Sequence, residues 1–147
     1  MRNTILIALV SLIFLSCNKD TFSSTPKLTY KSVNTKRLDH NQIIKFNLSF
    51  TDLEGDVIDT IFVQKVSLNC PSSGFSKGYA TPSFPTSSKL KGDILVSFSN
   101  GLNNPPYTNI AFGFTKNDSC YFRFMMKDKA NHKSDTVRSE TIVIVNQ

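Results

Sequence analysis

Residues 119–127 read Ser-Cys-Tyr-Phe-Arg-Phe-Met-Met-Lys. The alternate positions from Cys120 to Met126 are apolar, whereas Arg123 and Lys127 fall on the opposite parity. Successive side chains of a β-strand point to opposite faces of the sheet. This period of two therefore predicts a strand that buries one face in a core.

The same period recurs along the chain, and no long segment repeats apolar residues at helical spacing. Clusters of Gly, Pro, Asn and Asp separate the alternating stretches. We label the predicted strands in chain order as A 28–33, B 43–51, C 60–69, D 93–99, E 110–115, F 119–127 and G 136–145. About seven strands without a helix predict an all-β fold, an antiparallel immunoglobulin-like β-sandwich. A closed barrel of the lipocalin type is the alternative, because it has the same density of strands.

The amino terminus is typical of a lipoprotein signal. Arg2 supplies a positive charge, and residues 5–14 are apolar except for Ser11, a run too short to span a bilayer. Leu15-Ser16-Cys17 then resembles a bacterial lipobox. The resemblance implies removal of residues 1–16 and acylation of Cys17 with diacylglycerol and a further fatty acid such as palmitate. The alternative is an ordinary secretory signal in which Cys17 is incidental.

The chain of 147 residues divides into three parts on this interpretation. Residues 1–16 are the signal, residues 17–26 form a polar flexible tether, and residues 27–147 form one domain. Removing Arg2 with the signal leaves 16 Lys and Arg against 11 Asp and Glu, a net charge of about +5. These cations are scattered rather than gathered in a stripe, so we expect no nucleic-acid partner.

Three turn stretches resemble a known group of proteins when taken together. They are Phe-Thr-Asp-Leu-Glu-Gly-Asp at 50–56, Ala-Thr-Pro-Ser-Phe-Pro at 80–85 followed by Lys-Gly-Asp-Ile at 91–94, and Lys-Asp-Lys-Ala-Asn-His-Lys-Ser at 127–134. The arrangement resembles small lipoproteins of the Bacteroidetes group that have a single immunoglobulin- or cadherin-like domain. It implies a fold and a location in the cell envelope, on the outer membrane, with the periplasmic and surface faces both open. It implies no activity.

Acidic residues gather in two loops that an immunoglobulin-like sandwich places at the same pole, B–C and F–G. Oxygen ligands on flexible loops suit Ca²⁺. The candidate ligands are Asp52, Glu54, Asp56, Asp128 and Asn131. The alternative, which needs no cofactor, is that these side chains only make turn-stabilising bonds to the backbone.

Cys70 and Cys120 are the remaining cysteines once Cys17 carries lipid. An exported protein matures in an oxidising compartment, so the pair favours a disulfide over two buried free thiols. Strand order supports the bridge, since Cys70 follows the end of C and Cys120 begins F. In neighbouring antiparallel strands these two ends meet at the pole opposite the acidic loops.

No pattern of a catalytic site is present. There are two histidines, no Gly-x-Ser-x-Gly elbow and no histidine pair at a zinc-binding spacing. We therefore expect a non-enzymatic binding or structural accessory anchored to the membrane by lipid, with an envelope protein or a glycan as partner. The alternative function is a barrel that carries a small apolar ligand, and an enzyme is a third class.

Two further features bear on partners. Residues 71–92 contain aromatic and proline residues, which either cover an open edge of the sandwich or form a contact surface. Asp-Thr-aliphatic tripeptides at 59–61 and 135–137 are similar to the O-glycosylation pattern of exported Bacteroidetes proteins, with Thr60 and Thr136 as the acceptors.

Cys17→Ser tests the anchor. We expect the wild-type protein to fractionate with membranes and to carry a diacylglyceryl group on Cys17 in mass spectrometry. The variant should leave the membrane fraction, because it lacks the two or three acyl chains that would anchor the protein. A Cys17→Ser protein that stays with the membrane would contradict the lipobox interpretation.

Overall fold

The computed structural model describes residues 23–55, 59–82, 87–101 and 107–146, and the signal and Cys17 lie outside them. The described residues form ten β-strands and one short 3-10 turn at Pro71–Ser73. The strands are β1 (Lys27–Val33), β2 (Arg37–Leu38), β3 (Ile43–Asp52), β4 (Thr60–Ser67), β5 (Phe75–Ala80), β6 (Leu90–Ser99), β7 (Thr108–Asn109), β8 (Asp118–Lys127), β9 (Val137–Arg138) and β10 (Ile142–Ile144). Among these residues there is no helix of the length and apolarity needed to cross a membrane.

The strands form two sheets. The first has the order β1-β3-β6-β7, and the second has the order β2-β10-β8-β4-β5 with β9 also paired to β8. The long pairings are antiparallel, and two short edge pairings, β10 with β2 and β6 with β7, are parallel. The predicted immunoglobulin-like β-sandwich is therefore confirmed, and the barrel alternative is wrong because the sheets remain separate.

Predicted strands A, B, C, D and F match β1, β3, β4, β6 and β8 within a few residues. Predicted strand E is wrong, because residues 110–115 form a loop and the short strand β7 precedes them. Predicted strand G is interrupted. The N–H of Phe122 donates to the hydroxyl of buried Ser139 at 2.9 Å, so a side chain replaces a backbone partner between β9 and β10. Strand β5 was not predicted, since no strand was assigned within residues 71–92.

Phe46 of β3 lies at the centre of the core between the sheets. Its ring contacts Phe122 and Phe124 of β8 at centroid distances of 4.7 and 5.2 Å, and Phe98 of β6 at 6.5 Å. All four rings are almost completely buried. Buried aromatic side chains of this size dominate the apolar stabilisation of a small domain.

A charged pair also lies inside the sandwich. Lys65 of β4 has no exposed side-chain surface, and its ammonium group is 2.8 Å from Oδ2 of the equally buried Asp118 of β8. The ammonium also donates to the hydroxyl of Ser73 and to the carbonyl of Ile110, each at 3.2 Å. All three of its protons therefore have acceptors.

The carboxylate of Asp118 is equally well satisfied. Ser67 donates to Oδ1 at 2.5 Å, and the Ser73 hydroxyl donates to Oδ2. Burial alone raises the pKa of Asp118, but the hydrogen bonds from Lys65, Ser67 and Ser73 outweigh it and hold the pKa below its usual value. The pair thus ties β4, the 3-10 turn, the 110–114 loop and β8 together.

Asp118→Asn tests this pair. Leaving Lys65 charged without its partner should lower the free energy of unfolding by about 3–5 kcal/mol, whereas Lys65→Met combined with Asp118→Leu should recover most of that loss. Urea unfolding measures both. A single variant as stable as the wild type would show that the pair contributes nothing.

The same pair fixes a pH dependence. The carboxyl of Asp118 has a lower pKa in the folded than in the unfolded protein, so its contribution is complete above the unfolded value of about 4 and is lost as pH falls through the folded value. Asp118→Asn should flatten the stability profile below about pH 4 relative to wild type. If Asp118→Asn lost stability below about pH 4 as steeply as the wild type, the acid sensitivity would come from other carboxylates.

Candidate functional site

An apolar cleft opens between the two sheets at one edge of the sandwich. At this edge β5 is the last strand of its sheet. In the other sheet the short strand β7 lies outside β6, and among the described residues it pairs only with Phe98 and Ser99. The cleft has a volume of about 350 Å³. It is lined by Ile61, Tyr79, Ala80, Thr81, Pro82, Ile94, Leu95, Val96, Ser97, Phe98, Tyr107 and Thr108.

The strands create this cleft because their inward faces continue beyond the covered core. Ile94 and Val96 have the same parity as Phe98 on β6, yet they are only partly buried whereas Phe98 is almost fully buried. The rings of Tyr79 and Phe98 meet edge to face at 6.0 Å and close the inner end. Leu95, which is 61% exposed, lies at the rim.

The polar groups of the cleft are few and uncharged. Tyr79 is hydrogen-bonded to the side chain of Thr108, and burial nevertheless raises the pKa of the Tyr79 phenol, so the group stays protonated. Ser97 and Thr81 add hydroxyl groups to the lining. None of the described residues that line the cleft carries a charge. The cleft therefore suits an uncharged, mainly apolar molecule with one hydrogen-bonding group.

The aromatic segment 71–92 contributes to this edge. Phe75 packs on Phe98 and Phe122 with centroid distances of 5.9 and 6.4 Å, so it covers the edge of the core as one interpretation predicted. Tyr79, by contrast, covers the core on one side and lines the cleft on the other. Phe84 lies outside the described residues.

The predicted calcium ligands Asp52 and Asp128 each form hydrogen bonds within their own turn. Asp52 is fully buried and accepts the N–H groups of Glu54 and Gly55 at 2.9 and 3.2 Å, which is a turn-stabilising role. Gly55 has a φ of +67°, and a Cβ there would lie 1.9 Å from the carbonyl oxygen of Ser87. Oδ2 of Asp52 has no partner in the described structure, and Asp56 lies outside it.

The F–G loop closes on itself in the same way. Asp128 is fully buried, and its carboxylate accepts the backbone N–H of His132 at 2.7 Å and contacts His132 Nδ1 at 3.1 Å. Asn131 adopts a left-handed turn conformation with φ 71°. In the described part of the chain no three His, Cys, Asp or Glu side chains are grouped closely enough to hold a metal ion. The observed bonds are those of the turn interpretation.

Cys70 and Cys120 lie at the pole opposite Asp128, as the strand order predicted, since Cys120 pairs with Ser67 near the end of β4. The structure nevertheless contains both as buried free thiols, so the predicted disulfide is not formed in it. Cys70 has left the strand ladder and binds Ser67 Oγ through its N–H at 2.7 Å. Burial raises the pKa of the Cys120 thiol to about 12, and such a thiol is unreactive.

The two predicted glycosylation acceptors differ in accessibility. Thr60 begins β4, is half-buried, and donates its hydroxyl to Asp59 at 2.9 Å. Thr136 is exposed just before β9. Residues 23–26 of the predicted tether contact the domain, because the carbonyl of Ser23 accepts the N–H of Leu53 at 3.1 Å.

Sequence reasoning did not single out the cleft. Ile94 and Val96 are ordinary inward residues of a predicted strand, and nothing in their spacing shows that the opposite sheet leaves them uncovered. The aromatic segment around Tyr79 was the one available signal.

Comparison with known proteins identifies no family. No family model and no curated protein matches the chain. Two solved structures of low similarity are Spo0M, a sporulation control protein from Bacillus subtilis, and a Niemann-Pick type C2 protein from Japanese carpenter ant. Spo0M is 6% identical with a TM-score of 0.45 over 85% of this chain, which spans about half (51%) of the Spo0M chain. The ant protein is 10% identical with a TM-score of 0.45 over 86% of this chain and 97% of its own. Neither similarity assigns this chain to a family.

Proposed function

We propose that this protein is a lipid-anchored, non-catalytic binding protein of the cell envelope, and that the cleft between its sheets is the binding site. The observation that carries the proposal is the apolar cavity of about 350 Å³ lined by Tyr79, Ile94, Val96 and Phe98. Small-molecule sites in proteins are concave, mainly apolar and of about 300–1,000 Å³.

The ligand class follows from the lining. Burying an ion in an apolar cleft without a countercharge costs several kcal/mol, so a charged ligand is disfavoured. An apolar molecule with one hydroxyl or carbonyl group would place that group against Tyr79, Thr108 or Ser97. The apolar-ligand function, first considered for a barrel, thus finds its support in a sandwich.

The titratable groups elsewhere support a non-catalytic role. Lys65 and Asp118 are sealed in the core with every donor used, His132 is bound to Asp128, and the Cys120 thiol has a raised pKa. A nucleophile needs an adjacent base and access to substrate, and none of these groups has both.

The lipid anchor and the outer-membrane location rest on the sequence around Cys17. A protein held at a membrane by acyl chains stands where apolar molecules partition, which agrees with an apolar ligand. Since the predicted location is the cell envelope, we propose an envelope protein or glycan as the macromolecular partner.

Binding of a fluorescent apolar dye, followed by titration, tests the cleft. Val96→Phe should fill part of the cavity and weaken dye binding by about tenfold or more, because the larger ring occupies space that the dye needs. The cost in stability should be modest. Val143→Phe is the matched control, because Val143 lies on the outer face of the second sheet.

Thermal unfolding of both variants confirms that each is folded. Unchanged binding by Val96→Phe, or an equal loss in Val143→Phe, would remove the cleft as the site.

A further inference from the structure

The outer face of the second sheet carries an unusual arrangement of two arginines around one tyrosine. The guanidinium carbon of Arg138 lies 3.8 Å from the centre of the Tyr121 ring, and that of Arg123 lies 5.5 Å from it. Arg123 also donates to the Tyr121 hydroxyl at 3.2 Å. Tyr121 itself is 9% exposed, so the ring is a fixed platform.

These two positive charges are direct neighbours. Arg123 of β8 and Arg138 of β9 are cross-strand partners, and like charges directly opposite each other destabilise a sheet. Neither arginine has a salt bridge to another described residue. Glu140, two residues beyond Arg138, is bound by Tyr30 and lies 3.9 Å from Lys36.

The guanidinium groups keep their donors available. A cation–π contact with the Tyr121 ring does not use the N–H donors of a guanidinium group, which remain available at its edge. A guanidinium has five such donors, and among the described contacts Arg123 uses one nitrogen and Arg138 uses none. Two parallel N–H groups of this kind match the two oxygens of a carboxylate.

A shallow depression adjoins Arg123 on the same face. It has a volume of about 190 Å³ and contains Phe62 and Met125 as apolar surface. Gln64, Ser76 and Thr136 supply an amide and two hydroxyl groups at its sides. Apolar surface beside neutral hydrogen-bonding groups, in a space suited to one ring, fits a sugar.

We propose that Arg123 and Arg138 bind the carboxylate of an acidic glycan, and that the depression holds the ring of that uronic acid residue. The ring would pack on Phe62 and Met125, and its hydroxyls would bond to Gln64, Ser76 and Thr136. The ligand would supply the negative charge that the two arginines lack. This site lies on the outer face of the sheet and does not depend on the cleft between the sheets.

Titration with a trimer of galacturonic acid, followed by NMR of the isotope-labelled protein at low salt, tests the site. We expect the amide signals of residues 121–125 and 136–138 to move, and an uncharged maltotriose to leave them unchanged. Arg123→Gln with Arg138→Gln should weaken binding at least about tenfold. Arg123→Lys with Arg138→Lys should also weaken binding, but to a smaller extent, because lysine keeps the charge and loses the planar fork.

The matched control is Lys31→Gln with Lys45→Gln, which removes the same charge from exposed positions of the first sheet. This control should bind the trimer as the wild type does. Gln64→Leu, at an exposed strand position, keeps the arginines and should still weaken binding of the sugar.

If Lys31→Gln with Lys45→Gln weakened binding of the trimer as much as the arginine variants do, the effect would be one of net charge, and the proposal would be overturned. Binding of an aspartate-rich peptide in place of the galacturonate trimer would overturn the glycan as ligand. Unchanged spectra on addition of the trimer would overturn the site.

Discussion

One buried ion pair, between Lys65 and Asp118, joins β4, β8, the 3-10 turn and the 110–114 loop. Two charges inside a sandwich of phenylalanines are tolerable only because every donor and acceptor of the pair is satisfied. The ammonium also lies 5.7 and 5.3 Å from the ring centres of Phe112 and Phe114, which brings the 110–114 loop over it. Gly113 permits that approach, because a Cβ there would lie 2.7 Å from the carbonyl oxygen of Ser72. The pair thereby closes one pole of the sandwich, and the apolar cleft lies at the edge formed by β5 and β6.

The long strands could be predicted from the sequence because their burial follows the period of two. Phe46 and Phe122 lie on the faces that alternation assigns to them, and both are fully buried. Predicted strand E fails for a physical reason, since the carbonyl of Ile110 serves Lys65 instead of a neighbouring strand. Lys65 has the same parity as the buried Ile61 and Val63 of β4, but no local pattern identifies its distant partner. Strand β5 was missed because Lys77 stands between Phe75 and Tyr79 on the same parity and so interrupts the apolar alternation.

The candidate binding surfaces were less predictable than the fold, because each depends on contacts between distant segments. Asp52 and Asp128 were predicted as oxygen ligands of calcium, and each accepts a backbone hydrogen bond within its own loop. The cleft at Val96 and the arginine pair at Arg123 and Arg138 arise from residues that are ordinary in sequence. The cleft forms because the opposite sheet does not cover Val96. The arginine pair stands out because no described neighbouring residue forms a salt bridge with it. The two surfaces are separate, so the two proposed ligands would not compete for the same residues.

The Lys65–Asp118 pair should keep β4 and β8 closed, whereas the cleft edge at β5 and β6 should open locally at a lower free energy. Native-state amide hydrogen exchange tests it most directly, because it resolves local opening from global unfolding. The amides of β4 and β8 around Lys65 and Asp118 should exchange only through global unfolding. The amides of β5, and those of β6 around Val96, should exchange by local opening at lower free energy. Exchange from β4 and β8 as fast as from β5, or an edge at β5 and β6 that opens only with the whole domain, would contradict this account.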